Sequence, residues 1–331
     1  MKPNVRIIGT GSYTPKQIIS NLELEEAGIG TTAKWIEEKL GIQERRIADP
    51  NEATSDLCLK AADMALISAG IPATDLDLII VATITPDRPA PSTACVLQRH
   101  LGARDIPAFD LAAVCSGFLF AMITGAQYVE TGFFKTVLVV GGDTFSRITN
   151  WRRRDCVFFG DGAGAVILQA TDLRYGIGML SIDMHSDGND DNAFYVAEGG
   201  SAAPFGSVVF PTENTGTWVM DGKAVFKKAI DVLPRSIVKA VADAKLSLAD
   251  IKWIIPHQPS IRILQNVSQT LQIPFEKVLH NMERYANTGA ATIPILLDET
   301  VRAGRIHDND IIVFTAIGAG WTWGSVVFKW S

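Results

Sequence analysis

The stretch Asp110-Leu-Ala-Ala-Val-Cys115-Ser-Gly117-Phe-Leu-Phe-Ala-Met122 takes the chain from a strand into a helix through a single cysteine. Upstream, Pro107–Leu111 reads as an apolar strand. Downstream, Cys115–Thr131 reads as a helix with apolar residues on every side. Leu111 to Val129 carries no charge and is long enough to imitate a membrane span. It begins in a strand, however, and includes Ser116, Gly117, Thr124, Gly125 and Gln127, so a helix buried within a large core fits it better than a span. Cys115 sits on the turn between the two elements, with Gly117 allowing close backbone approach. This is the geometry of a nucleophile elbow, in which the unpaired N–H groups of a helix N-terminus favour a thiolate. A buried, inert cysteine is the commoner fate of the residue type, and position alone does not separate the two readings.

Working outward, apolar runs rich in β-branched residues recur at Val5–Ile8, Leu78–Ala82, Val137–Val140, Gly164–Leu168, Trp253–Ile255, Ile311–Thr315 and Ser325–Phe328. Helical patterns alternate with them at Ser55–Ala69, Val225–Ala244, Ile261–Leu271 and Ala290–Ala303. Strands that are apolar throughout, separated by helices, imply sheets buried between helical layers, so the fold class is α/β.

The two halves echo one another. Ala73-Thr-Asp-Leu-Asp-Leu-Ile-Ile80 is matched by Leu248-Ala-Asp-Ile-Lys-Trp-Ile-Ile255, each an acidic loop leading into a buried strand. Cys115-Ser-Gly117 lies opposite Asn287-Thr-Gly289, each opening a helix. Duplication is the natural reading, with a boundary near Thr171–Tyr175 that divides the chain into 1–172 and 173–331. Paired α/β halves place equivalent loops at a shared cleft beyond their strand ends.

Composition narrows the function. The 331 residues are 47% hydrophobic and 20% charged, enough for one large core or two fused ones and far from the make-up of a disordered or disulfide-stapled chain. A net charge of −6, with no like-charge block beyond Arg152-Arg153-Arg154, argues against general nucleic-acid affinity. Four cysteines and no signal peptide at the start point to a reducing cytoplasm.

Other candidates stand at loop positions. His257 follows the strand Trp253-Ile-Ile-Pro256, and a satisfied structural histidine would be the default were its loop not placed at the proposed cleft. Asn287 has the ordinary reading of a helix N-cap; alternatively its amide donates to a developing oxyanion. The glycine-rich stretches Phe159–Ala165 and Gly318-Ala-Gly320 lack the strand-turn-helix setting of a dinucleotide site. The second is better used as a tight turn lending an N–H to an oxyanion hole. Asp187–Asn192 lacks calcium-loop spacing and no His/Cys cluster has zinc spacing, so no metal is expected.

Together these segments resemble the β-ketoacyl-[acyl-carrier-protein] synthase III family of the thiolase superfamily, from about Arg6 to the C-terminus. The resemblance is carried by Ile7-Ile-Gly-Thr-Gly11, Trp35-Ile36 with Gly41-Ile-Gln-Glu-Arg45, Pro91-Ser92, Asp110 to Gly117, Phe159–Ala165, Pro256-His257-Gln258, Asn287-Thr288 and Thr322-Trp323-Gly324. It implies a thiolase-like five-layer αβαβα fold of two pseudo-symmetric halves with mixed sheets, 1–172 bearing the nucleophile and 173–331 the histidine and asparagine. It implies that Cys115 accepts an acyl group from acyl-coenzyme A, while His257 and Asn287 support decarboxylation of malonyl-acyl carrier protein before a Claisen condensation.

The resemblance further implies an oxyanion hole from the backbone N–H groups of Cys115 and Ala319, coenzyme A contacts at Trp35 and Arg153, and carrier-protein docking at Lys227 and Arg262. It implies a homodimer and no metal or redox cofactor. Five positions depart from the family pattern. Lys39-Leu40 replaces a common Arg-Thr, and Ala286 and Ala319 replace common glycines. Ala90 stands where a bulky residue often closes the acyl pocket across the dimer, so a primer larger than acetyl is expected to fit. The competing readings are an acyltransferase acting on an oxygen, nitrogen or other carbon nucleophile, and a silent partner subunit, for which a complete Cys, His, Asn set would have no use.

Overall fold

The apolar runs pair into two sheets, and helices cover every face of both. The computed structural model describes residues 4–171, 176–206 and 215–331. Its strands are β1 (Asn4–Tyr13), β2 (Gln17–Ser20), β3 (Glu44–Ile47), β4 (Leu78–Ala82), β5 (Ala108–Leu111), β6 (Thr136–Thr144), β7 (Asp161–Thr171), β8 (Gly178–Ser186), β9 (Phe194–Val196), β10 (Trp218–Met220), β11 (Trp253–Pro256), β12 (Ile311–Gly318) and β13 (Thr322–Lys329). Its helices are α1 (Asn21–Glu26), α2 (Ala33–Leu40), α3 (Thr54–Ala69), α4 (Thr93–Leu101), α5 (Gly117–Glu130), α6 (Gly222–Asp243), α7 (Ile261–Leu271), α8 (Met282–Tyr285) and α9 (Thr292–Arg302).

The first sheet runs β1-β7-β6-β4-β5, with β4 parallel to β5 and β6 and the β6-β7-β1 pairs antiparallel. The second runs β11-β12-β13-β8, with β11 parallel to β12 and the other pairs antiparallel. Helices α3 and α4 cover the outer face of the first sheet, α5 and α9 lie between the sheets, and α6 and α7 cover the outer side of the second. This is the five-layer αβαβα order expected from the resemblance.

The period of two explains why the strands read as continuous apolar runs. Leu78, Ile80 and Ala82 face the central helical layer with Val137, Val139, Phe314 and Phe328, while Ile79, Val81, Leu138 and Val140 face α3 and α4. Helix α5 is wrapped by both sheets, and nine of its residues are buried. The uncharged run therefore belongs to the core, and no helix among the described residues is long and apolar enough to cross a membrane.

The sequence reading missed β8, the edge strand of the second sheet. Its middle is only half-buried and its last three residues are exposed, so it lacks the apolar continuity of its neighbours. The two-stranded sheets β2/β3 and β9/β10 and the helices α1, α2, α4 and α8 also escaped it. The boundary read near Thr171–Tyr175 falls on 172–175, outside the described residues apart from Thr171.

Candidate active site

Four connections meet at one cavity of about 560 Å³, whose wall includes Cys115, His257, Asn287 and Ala319. Cys115 lies in a 3-10 turn, Val114–Ser116, between β5 and α5. The turn forces Val114 to a φ of +48°, a left-handed conformation that a β-branched residue rarely adopts. It is held from the opposite sheet: Ser116 Oγ lies 2.6 Å from Thr322 Oγ1, which also reaches the Ala113 carbonyl at 3.2 Å. Gly318 explains its own identity here, since a Cβ on it would stand 2.8 Å from the Ala113 carbonyl oxygen.

The His257 backbone N–H donates to the Thr315 carbonyl at 2.8 Å, extending the β11–β12 pairing by one residue and fixing the ring at the strand end. Nδ1 of its ring lies 2.8 Å from Thr292 Oγ1 at the start of α9. Burial pushes the imidazole down to about 3, so it is neutral at physiological pH.

Asn287 is not itself the N-cap, which is Thr288, but stands one residue before it. Its Oδ1 accepts the Gly289 N–H at 2.8 Å, which leaves the amide N–H groups as the side chain's donors, and its backbone is stitched to Phe158 and Gly160. The glycine-rich stretch Phe159–Ala165 serves this stitching. A Cβ on Gly160 would lie 2.4 Å from the Tyr285 carbonyl oxygen, and one on Gly164 2.7 Å from the Ile295 nitrogen, so the glycines let β7 press against the Asn287 loop and α9. Ala286, in the loop's first turn, takes φ +56° and ψ −149°, a conformation natural only to glycine.

The expected stabilisation of a thiolate at Cys115 does not hold in the resting protein. Burial, aided by the nearby Asp143 carboxylate, pushes the thiol up to about 12, against a hydrogen bond from the Asn287 side chain that holds it down. A helix N-terminus is too weak to offset full desolvation. Asp143 is itself fully buried. Its Oδ1 accepts from Ile84 N–H and the Thr83 and Thr85 hydroxyls at 3.0–3.1 Å, and its Oδ2 accepts the Ala290 N–H at 2.9 Å. It joins the Asn287 loop to the end of β4. Neither Asp143 nor Thr292 was singled out from sequence; a buried acid at the end of β6 and a threonine at a helix start carry no local signal that points across the fold.

The chain matches the family description 3-oxoacyl-[acyl-carrier-protein (ACP)] synthase III over residues 109–188 and its C-terminal counterpart over 241–330. It is 44% identical over 326 residues to the β-ketoacyl-[acyl-carrier-protein] synthase III of Caldanaerobacter subterraneus subsp. tengcongensis, covering 98% of this chain and 97% of that one. The chain belongs to the β-ketoacyl-[acyl-carrier-protein] synthase III family. Among solved structures, the synthase III of Aquifex aeolicus superposes with a TM-score of 0.91 at 36% identity, covering 98% of this chain and all of that one. The priming β-ketosynthase of the R1128 polyketide pathway superposes with 0.91 at 31% identity, over 99% and 97%.

The peripheral residues to which the resemblance assigns contacts lie partly at the cavity mouth and partly away from it. Trp35 lines the mouth of the cavity, but the guanidinium 4.0 Å over its ring is that of Arg154. Arg153 instead pairs with Asp155 at 3.1 Å, in the hollow that continues outward from the mouth. Arg262, exposed on the first turn of α7, and Lys39 and Lys223 also stand at the mouth. Lys227 is exposed on α6 but does not line the cavity, and Ala90 is exposed in the loop after β4 and lines no part of the cavity in its own chain. Among the described residues no group of three or more His, Cys, Asp and Glu side chains is arranged to hold a metal ion.

Proposed function

We propose that this chain starts acyl chains by loading an acyl group from acyl-coenzyme A onto Cys115 and condensing it with malonyl-acyl carrier protein. The observation that carries the reading is the meeting of a thiol, a neutral imidazole and an oriented carboxamide at the wall of one mainly apolar cavity with cations at its mouth. In the first half-reaction the Cys115 sulfur attacks the thioester carbonyl, the backbone N–H groups of Cys115 and Ala319 receive the oxyanion, and coenzyme A leaves with the thiol's proton. In the second, malonyl loses CO₂. The electron pair develops on the thioester oxygen facing His257 and Asn287, the resulting carbanion attacks the acyl carbonyl, and Cys115 departs and is reprotonated.

Around this chemistry, Trp35 with Arg153 or Arg154 would hold the adenine end of coenzyme A, and Lys227 and Arg262 would meet the acidic carrier. A homodimer would bring Ala90 to its partner's acyl pocket. The two halves, 1–172 and 173–331, would be duplicates: β4-β6-β7-β1 and β11-β12-β13-β8 share order and direction. The reaction asks for no metal or redox cofactor, and the reading places the enzyme in the cytoplasm.

The test is intact mass after incubation with acyl-coenzyme A thioesters from acetyl to medium-chain and branched, then release of CO₂ and product identification with malonyl-acyl carrier protein. The expected result is one acyl adduct, absent from Cys115→Ala, consumed as a β-ketoacyl-carrier product appears. An adduct discharged without CO₂ release, to another nucleophile, would replace the reading with simple acyl transfer. No adduct from any thioester would sink it.

A further inference from the structure

The Thr292 hydroxyl is buried between the His257 ring and a backbone carbonyl. Its Oγ1 lies 2.8 Å from His257 Nδ1 and 3.0 Å from the Gly289 carbonyl oxygen, and the residue is 2% exposed. A hydroxyl has one proton, so it serves one of them at a time. The Gly289 carbonyl has a second donor, the backbone N–H of Thr292 itself, which closes the 3-10 turn. The Nδ1 atom has no other partner among the described hydrogen bonds. Giving the hydroxyl proton to Nδ1 leaves the carbonyl its backbone donor and is the arrangement in which Nε2 keeps the ring proton; Nδ1–H donating to Oγ1 would satisfy the same groups but leave Nε2 with no proton to offer the cavity that His257 lines.

We infer that the Thr292 hydroxyl donates to His257 Nδ1 and thereby fixes the ring proton on Nε2, making Thr292 a positioning residue for the condensation step. The neutral ring has one proton to place, and with Nδ1 acting as acceptor it must sit on Nε2. That atom then joins the Asn287 amide as a second donor toward an enolate oxygen. In the opposite tautomer Nε2 would present a lone pair to the same oxygen and repel it. The inference rests on the condensing reading above. Acyl loading at Cys115 has no need of a donor from His257, so the effect of Thr292 is confined to the second half-reaction.

Nitrogen-15 NMR of histidine-labelled full-length protein reads the tautomer directly. For His257 the expected pattern is a pyridine-type Nδ1 and a pyrrole-type Nε2 in the wild type and in Thr292→Ser, and a mixture in Thr292→Val. Condensation should fall about tenfold or more in Thr292→Val and stay near wild type in Thr292→Ser, with acyl loading by intact mass unchanged in both. A protonated Nδ1 in the wild type overturns the inference even if Thr292→Val fails to fold. So does an unchanged pattern in Thr292→Val, or an equal loss of loading and condensation. Failure of the wild type to condense at all would overturn the function and leave the ring pattern to decide the role of Thr292 in setting the tautomer.

Discussion

At Cys115 two electrostatic effects oppose one another. The start of α5 favours an anion by less than the equivalent of one pKa unit, whereas complete burial beside the Asp143 carboxylate disfavours it by more. Burial wins, and the resting nucleophile is a thiol. Because the thiol is held up near 12, its thiolate fraction should rise about tenfold with each pH unit across the whole accessible range. Iodoacetamide labelling followed by peptide mass should show Cys115 reacting more slowly than the exposed Cys95 at pH 7, with a rate still climbing at pH 10. A plateau near pH 7 would mean that the thiolate is already formed. Cys115, His257 and Asn287 were legible because each occupies a loop that leads into a helix, the first two directly after a strand and Asn287 between α8 and α9, where few residues have a purely structural reason to be polar. Thr292 and Asp143 were not, because what each does depends on a partner more than thirty residues away. Arg153 and Arg154 are adjacent and alike, and only the turn of the 3-10 segment Arg154–Phe158 decides which one covers Trp35.

Among the elements, glycine marks where backbone meets backbone. On β1, a Cβ at Gly9 would stand 2.3 Å from the Ala65 carbonyl oxygen and one at Gly11 2.2 Å from that of Ala61, so α3 lies directly on the strand. The motif Ile7-Ile-Gly-Thr-Gly11 is thus a helix seat. The turn between α8 and the Asn287 loop is the opposite case, a glycine-type conformation filled by Ala286. Ala286→Gly should remove the strain at some cost in unfolded-chain entropy, for a net gain of about 1 kcal/mol and a rise in Tm of about 2 °C. Differential scanning calorimetry of the two proteins checks it, and a lower Tm in the variant would show that the alanine methyl contributes more by packing than it costs in strain. Strands buried on both faces were read correctly because apolar runs survive any register. The edge strand β8 was not, since half its surface faces away from the core.

For the whole molecule, the central layer is common property. Its core draws Val5, Leu78 and Val137 from the first sheet and Ile255, Phe314 and Phe328 from the second, around α5 and α9. Asp298 of α9 accepts from Thr10 and Ser12 of β1 at 2.8 and 2.6 Å, tying the helix to the first sheet. Neither sheet can lose that layer and keep its inner face dry. Heating should therefore unfold both in one transition, with coincident far-ultraviolet circular dichroism and tryptophan fluorescence curves; two separated steps would show that the sheets stand alone. The five layers were legible from the alternation of strands and helices, whereas the clamps between them, made by single polar residues far apart in sequence, were not. The clamp on the cysteine turn also sets an order of events during synthesis. Ser116 and its partner Thr322 are separated by 206 residues, and β13, which Thr322 opens, follows every other described strand. The nucleophile leaves the ribosome long before this clamp can close on its turn, so a chain that stops before β13 would carry the cysteine without the clamp that holds the turn.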